Sequence, residues 1–252
     1  MDTRSLLQAT RQPRHAFPDR RDAGAALARA LAPYTGRADV IVLALPRGGV
    51  PVAYEVARAL DAPLDVFVVR KLGLPGPDAL AMGAVASGGL VVFNRDVIGT
   101  VGLGEDDVAR VLRAEQRELQ RREQLYRDDR PSPPVEGKTV ILVDDGLATG
   151  SSMLAAVAAL RERRPARIVV AVPIGAADTC SELRRYADEV ICAVTPEPFY
   201  GVGAWYQDFS QTTDDEVRDL LQRADHEWTQ AHSARRAPST PAPDTAPSPV
   251  SP

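Results

Sequence analysis

Residues 139–153 read Thr-Val-Ile-Leu-Val-Asp-Asp-Gly-Leu-Ala-Thr-Gly-Ser-Ser-Met. Val140 to Val143 are apolar and mostly β-branched, a run that reads as a strand buried on both faces. The strand stops at a carboxylate pair, Asp144 and Asp145. A turn holding two glycines and small hydroxylated residues follows, and an Ala/Leu-rich helix starts at about Ser152. This order sets two anionic acceptors beside a nest of backbone N–H groups at a helix N-terminus. The N–H groups and the helix dipole suit a phosphate. The carboxylates suit hydroxyl groups or a hydrated cation. A sugar phosphate carrying vicinal hydroxyls satisfies both halves.

Outward from this segment the chain alternates strands and helices. A helix is expected from Asp19 or Asp22 to about Ala32, ended by Pro33 and Gly36. An apolar strand, Asp39 to Leu45, leads into Pro46-Arg47-Gly48-Gly49 and a helix from about Val50 to Leu60. Leu64 to Val69 reads as a second strand ending in Arg70-Lys71. Met82–Ala86 and Leu90–Phe93, joined by Ser87-Gly88-Gly89, read as a β-hairpin. Glu105 to about Arg127 is a long charged helix. After the opening segment come strand Arg167–Val172, helix Asp178–Tyr186, strand Glu189–Val194 and a helix from Asp214 to about Trp228. The pattern predicts an α/β fold, a doubly wound and mostly parallel sheet with helices on both faces. Right-handed crossovers then gather the strand C-terminal ends along one edge, where ligands bind. No internal repeat is evident.

Composition bounds the rest. The 252 residues are 44% hydrophobic, enough for one full core, and the net charge of −4 argues against a broad nucleic-acid footprint. No apolar run approaches the ~20 residues that span a bilayer, and the first residues lack the apolar region of a signal peptide. A cytoplasmic protein without nucleic-acid or membrane partners is expected. Cys180 and Cys192 stand apart, which reads as free thiols in a reducing compartment, with a disulfide as the alternative. His15, His226 and His232 are the only histidines and fall outside the patterned core, so neither a His-based metal site nor a Ser-His-Asp triad is expected. Residues 1–16 read as a loose arm, 17–232 as one domain, and 233–252 as a disordered Ala/Pro/Ser/Thr-rich tail.

The segment Val143-Asp144-Asp145-Gly146-Leu147-Ala148-Thr149-Gly150-Ser151-Ser152 resembles the signature of type I phosphoribosyltransferases, which bind 5-phosphoribosyl 1-pyrophosphate (PRPP). Receiver domains also open with a strand and an acidic pair, but near the domain start and without a Thr-Gly-Ser-Ser turn behind it. An ordinary βα turn is the remaining alternative. The resemblance implies that Asp144 and Asp145 bind the ribose hydroxyls, and that Ala148, Thr149, Gly150, Ser151 and Ser152 cradle the 5′-phosphate. It implies a pyrophosphate loop at Arg47, Gly48 and Gly49, with a non-proline cis peptide at Pro46–Arg47; a simple type II turn is the alternative. A basic residue at the next turn would reach the pyrophosphate, Lys71 first and Arg70 second. The glycine- and proline-rich stretch Leu72 to Pro77 would begin a mobile lid. Mg²⁺ is implied as a cofactor carried largely by the substrate, with Asp144 and Asp145 as possible contacts.

Two features stay open. Phe199, Tyr200, Trp205, Tyr206 and Phe209 crowd into eleven residues of a chain that is 5% aromatic. They read either as a small hood, with Tyr200, Trp205, Tyr206 and Phe209 facing an acceptor, or as a satellite cluster sealing the sheet edge. The helix 105–127 carries a narrow stripe of Val108, Leu112, Leu119 and Tyr126, with Glu118/Arg122 and Glu123/Arg127 at i,i+4 spacing. It either lies on the domain as part of a hairpin and long-helix insertion or pairs with another subunit in a homodimer. The expected activity is transfer of a phosphoribosyl group from PRPP to a small, nucleobase-like acceptor with release of pyrophosphate. Hypoxanthine-guanine enzymes carry an acidic residue where this chain has Ala148, which argues against that specificity. A non-catalytic PRPP or nucleotide sensor is the alternative, and a sugar-phosphate hydrolase a weaker one.

Overall fold

The computed structural model of the protein describes residues 16–74, 81–101, 104–127 and 130–233. The expected arm up to residue 15, the part of the expected lid from residue 75 on, and the tail from residue 234 lie outside the described residues.

Helix α1 (Arg20–Ala30) starts where Asp19 accepts hydrogen bonds from the Arg21 and Asp22 amides at 2.7 and 2.9 Å. Such a side-chain cap satisfies two of the donors every helix start leaves orphaned. Strand β1 (Val40–Ala44) is buried at all five positions. Helix α2 (Gly49–Leu60) is apolar nearly all round and ends at Asp61 in the left-handed region, φ 53°. Strand β2 (Leu64–Val66) pairs with β1 in parallel. There the chain leaves the main sheet. The Phe67 amide still donates to the Ala44 carbonyl at 2.8 Å, but Val68 donates to the Ser87 hydroxyl and accepts from the Ser87 amide, both at 2.9 Å. The expected single strand Leu64–Val69 is therefore two. Strand β3 (Val69–Gly73) joins β4 (Ala81–Ala86) and β5 (Leu90–Phe93) in a separate antiparallel sheet ordered β3-β4-β5. Arg70 and Lys71 sit inside a strand, not at its end, and so point to opposite faces.

A short helix not anticipated from the sequence, α3 (Arg95–Val101), follows Asn94, whose side chain accepts from the Val97 amide at 3.2 Å. Helix α4 (Glu105–Arg127) is where the periodicity placed it. It lies on the domain: Leu119 and Tyr126 are buried, and Val108, Val111 and Leu112 pack partly against the core. The Glu118–Arg122 and Glu123–Arg127 pairs both form, at 2.8 Å. Arg127 is only 4% exposed and reaches Asp65 at 3.0 Å, Glu123 at 2.8 Å, the Ser132 hydroxyl and the Val66 carbonyl. Burial pushes the Asp65 carboxyl up against the pull of that guanidinium. Removing one member of such a cluster strands the others. Arg127→Ala is expected to cost about 3–5 kcal/mol in urea unfolding, against about 0.5 kcal/mol for Arg110→Ala on the exposed face of the same helix.

Strand β6 (Thr139–Val143), helix α5 (Ser151–Glu162), strand β7 (Arg167–Ile174), helix α6 (Ala177–Leu183), strand β8 (Glu189–Val194) and helix α7 (Asp214–Ser233) complete the chain. The main sheet is parallel throughout, in the order β2-β1-β6-β7-β8. Its apolar runs sort by the two-residue strand period. Val42, Ala44, Ile141, Val143, Val169 and Ala171 enter the core layer shared with α2 and α7. Ile41, Leu43, Val140, Leu142, Ile168 and Val170 enter the layer shared with α5. Each valine, leucine or isoleucine among them contributes about 1.5–3 kcal/mol on burial, the two alanines less. Strand order reverses between β1 and β6, so the loops after those two strands flank the crevice typical of doubly wound folds.

One sequence expectation is corrected here. Cys180 and Cys192 are not free thiols: they form a disulfide, Sγ–Sγ 2.18 Å, between α6 and β8. Their separation in sequence hid the proximity. Pairing of Val172 with Cys192 brings β8 beside the helix that follows β7.

Candidate active site

The two loops at the crevice are built into each other. β1 and β6 run side by side, Ala44 opposite Val143, and the Leu45 amide donates to the Val143 carbonyl at 2.8 Å. The Pro46–Arg47 peptide between them is cis. Gly48 has an ordinary right-handed φ of −58°, so its lack of a side chain answers a need for space. A Cβ there would stand 2.0 Å from Asp145 Oδ2, and one at Gly49 would stand 2.8 Å from the Val143 carbonyl oxygen. The 46–49 loop thus presses its bare backbone against the acidic pair.

The turn after Asp145 is held by backbone. Leu147 bridges to Gly175 beyond β7, its amide donating to the Ile174 carbonyl and its carbonyl accepting from Ala176, both at 2.9 Å. Gly150 adopts φ +70°, a left-handed conformation that most side chains disfavour, and also faces the Thr179 methyl at 2.7 Å from where a Cβ would lie. The Thr179 hydroxyl donates to the Ala148 carbonyl at 2.7 Å. Helix α5 then starts at Ser151 with no side-chain cap, leaving its first amides for an external partner. Thr149 and Ser151 hydroxyls lie 3.2 Å apart, and Lys71 donates to Ser151 Oγ at 2.9 Å.

Electrostatically the pair is unequal. Burial first, and then the neighbouring Asp145, hold the Asp144 carboxyl well above the usual carboxylate range. Asp144 Oδ1 accepts the Asp145 amide at 2.9 Å. Burial also raises Asp145, but Arg20 opposes it, with Nε and Nη2 each 2.9 Å from Oδ2. Arg20 was missed in the sequence. It lies 125 residues from Asp145 at the start of an ordinary amphipathic helix, and no local pattern marks it.

The structure brings Asp144, Asp145, the 148–152 turn, the 47–49 loop and Lys71 to one edge. Arg70 is not with them: it leaves on the other face of β3 to pair with Glu115 of α4 at 2.7 Å. Arg47 reaches toward Asp214 at 3.7 Å, the same carboxylate that accepts the Tyr126 hydroxyl at 2.6 Å. The aromatic candidates divide. Tyr206 is 2% exposed in a cluster with Phe17 and Ile174, and Trp205 and Phe199 pack on that cluster. The Tyr206 hydroxyl donates to the Asp145 carbonyl at 2.6 Å, and burial pushes its pKa up, so it remains a donor at neutral pH. Tyr206 therefore braces the acidic pair from behind and offers no open face for stacking. Tyr200 and Phe209 are exposed, at 66% and 38%. A groove of about 540 Å³ beside Lys71 and Ser151 is walled by Phe93 and Tyr186 and by none of these five aromatics.

A parallel sheet with an acidic pair and an uncapped helix start at its switch point places the chain among the doubly wound α/β proteins, with acceptors and anion-facing amides at one edge. Comparison narrows it: the model of the phosphoribosyl transferase domain matches residues 17–204, and the chain belongs to that family. Two Mycobacterium tuberculosis proteins, from strains CDC 1551 and H37Rv, carry the provisional name phosphoribosyl transferase. Each is 46% identical over 225 residues, covering 89% of this chain and 51% of its own. The chain thus spans about half the length of the curated relatives it matches. A crystal structure of a Thermus thermophilus protein is 43% identical with a TM-score of 0.74, covering 82% of this chain and 98% of that one. No described helix is long and apolar enough to cross a membrane.

Proposed function

We propose that the protein transfers the 5-phosphoribosyl group of PRPP to a small, nucleobase-like acceptor and releases pyrophosphate. The observation that carries this reading is the interlock of Gly48 with Asp145, so close that a Cβ on the glycine would stand 2.0 Å from the carboxylate. It sets a bare-backbone loop directly against the acidic pair. In this assignment Asp144 and Asp145 receive the ribose hydroxyls, and the backbone amides and hydroxyls of 148–152 receive the 5′-phosphate. Arg47, Gly48, Gly49 and Lys71 receive the pyrophosphate. Arg70, committed to Glu115, is left out.

The C1–O bond to pyrophosphate breaks with its electron pair leaving on the pyrophosphate. The acceptor's lone pair then closes a new bond to C1. Positive charge developing on the sugar lies near two carboxylates, so the chain contributes positioning and electrostatic stabilisation, with no covalent step of its own. Among the described residues no three His, Cys, Asp or Glu side chains gather as a metal cage. The Asp144/Asp145 pair fits a hydrated Mg²⁺ that arrives on substrate oxygens, where it would neutralise pyrophosphate charge. Ala148 leaves the position of the hypoxanthine-guanine acidic residue without a carboxylate, which favours another acceptor.

The test is pyrophosphate release from PRPP and Mg²⁺ across a panel of bases and small amines. Wild type is expected to turn over with at least one acceptor, and Asp144→Asn with Asp145→Asn to lower the rate about 100-fold or more, the effect of removing a preorganised electrostatic group. Tight PRPP binding without turnover for any acceptor would instead favour a PRPP sensor. Absence of PRPP binding would sink both.

A further inference from the structure

Arg20 spends every direction of its guanidinium inside the site. Nε and Nη2 take Asp145 Oδ2 at 2.9 Å, Nη1 donates to the Ser210 carbonyl at 2.7 Å, and its carbon lies 4.0 Å from the Phe209 ring centroid. The side chain is 12% exposed. Tyr206 grips the same aspartate from behind through its carbonyl. Asp145 is thus held by side chain and by backbone, and both grips lead to residues 206–210.

A purely structural role would be to fasten the two chain ends together. Backbone already does that. Ala16 and Phe17 amides donate to the Trp205 carbonyl at 2.9 and 3.1 Å, Gln207 donates to Phe17 at 3.0 Å, and Asp208 donates to Pro18 at 2.9 Å. What Arg20 adds is a planar cation on the carboxylate that faces Gly48. Its Nε would lie 3.3 Å from a Cβ at that glycine.

We propose that Arg20 is a positioning residue: it fixes the Asp145 carboxylate against the Gly48 loop and couples it to the 205–210 segment, so that a sugar hydroxyl arriving at Asp145 meets an oxygen already held in place. The identity of the sugar rests on the phosphoribosyl-transfer reading; the coupling does not. Because both guanidinium contacts fall on Oδ2, Oδ1 is the oxygen left to a ligand. Lysine can supply the charge but not the fork that reaches Asp145 and Ser210 together.

The test uses the full chain with Trp228→Phe, which leaves Trp205 as the sole tryptophan. Affinity for Mg·PRPP is measured by calorimetry for Arg20→Gln, Arg20→Lys, Asp145→Asn and the Arg20→Gln/Asp145→Asn pair. Acrylamide quenching of Trp205 is measured in the same proteins without ligand. Arg20→Gln is expected to weaken PRPP about 10- to 30-fold, and Arg20→Lys to recover part of that loss. In the Asp145→Asn background the Gln change should cost under about 2-fold, since coupled residues are not additive. Quenching should rise about 2-fold in both Arg20 variants, because neither reaches Asp145 and Ser210 together. Equal losses with and without Asp145, or unchanged quenching in ligand-free Arg20→Gln, would overturn the proposal. Wild type that binds neither PRPP nor ribose 5-phosphate would overturn the transferase reading, and the ligand-free quenching would still decide the coupling. Arg20→Lys, which keeps the charge, carries the quenching test if the Gln variant fails to fold.

Discussion

Gly48→Ala is expected to abolish PRPP binding while leaving the fold in place. The added methyl would stand 2.0 Å from Asp145 Oδ2 and 2.7 Å from its Cγ. The backbone on either side has no slack: Leu45 is bonded to Val143, and a Cβ at Gly49 would meet Val143 and Asp144. The carboxylate must therefore swing away, and its bridge to Arg20 goes with it. Overpacking of this kind costs about 1–3 kcal/mol of stability. The loss of affinity is about 100-fold or more, at least about 2.8 kcal/mol, because the displaced carboxylate no longer meets the ligand where the loop does. Calorimetry against Mg·PRPP and urea unfolding measure the two effects. Gly99→Ala in α3 is the control, since nothing lies within 4 Å of a Cβ there. It should leave binding unchanged and hold or slightly raise stability. Binding by Gly48→Ala at wild-type affinity would show that the two loops do not share a ligand.

Asp144→Asn is expected to do the opposite to the fold: it kills function and stabilises the protein at neutral pH. Burial and the Asp145 charge raise the folded-state pKa of Asp144 above its unfolded value near 3.9. The folded state therefore binds a proton more tightly than the unfolded one. Its contribution is fully present below about pH 4 and is lost as pH rises through the raised folded value. Asparagine mimics the protonated carboxyl and escapes that loss. In metal-free buffer the variant should melt above wild type at about pH 8, and the two curves should converge toward about pH 4. Each tenfold rise in proton affinity corresponds to about 1.4 kcal/mol, or about 2–4 °C of melting temperature per kcal/mol at this chain length. Asp145→Asn should not share the gain, because it leaves the nearly buried Arg20 without its carboxylate. An Asp144→Asn melting curve parallel to wild type across the whole range would refute the account.

These residues also show what a sequence can and cannot reveal. Val140–Val143 and the acidic pair were legible because strand, cap-free turn and helix start are consecutive, and local physics fixes each. The long helix Glu105–Arg127 was legible through its stripe and its i,i+4 pairs. The switch of sheet at Val68 was not, since the apolar run Val66 to Val69 passes straight through it, while Ser87 and strand β4, far along the chain, draw it away. Lys71 ranked ahead of Arg70 by resemblance alone, and strand alternation then sent the two to opposite faces. Arg20 and Tyr206 were invisible as braces of the acidic pair for the same reason: what they do is set by a partner far along the chain. The Cys180–Cys192 link was legible only as the alternative reading, because the β7–β8 pairing that brings the two together is not written near either cysteine.

The distance along the chain between these partners bears on the order of folding. Arg20 meets Ser210 across 190 residues, Asp145 across 125, and Tyr206 meets Asp145 across 61. The two Arg20 contacts are the more remote, and they close only after the loops between them have been drawn in. The parallel sheet can assemble around β1, β6 and β7, where Ala44 meets Val143 across 99 residues, while Asp145 still lacks its Arg20 cation. Competence to grip a ligand at Asp145 then waits for the Arg20 contacts. A growing chain that has not yet reached Ser210 holds the signature loop without a finished site.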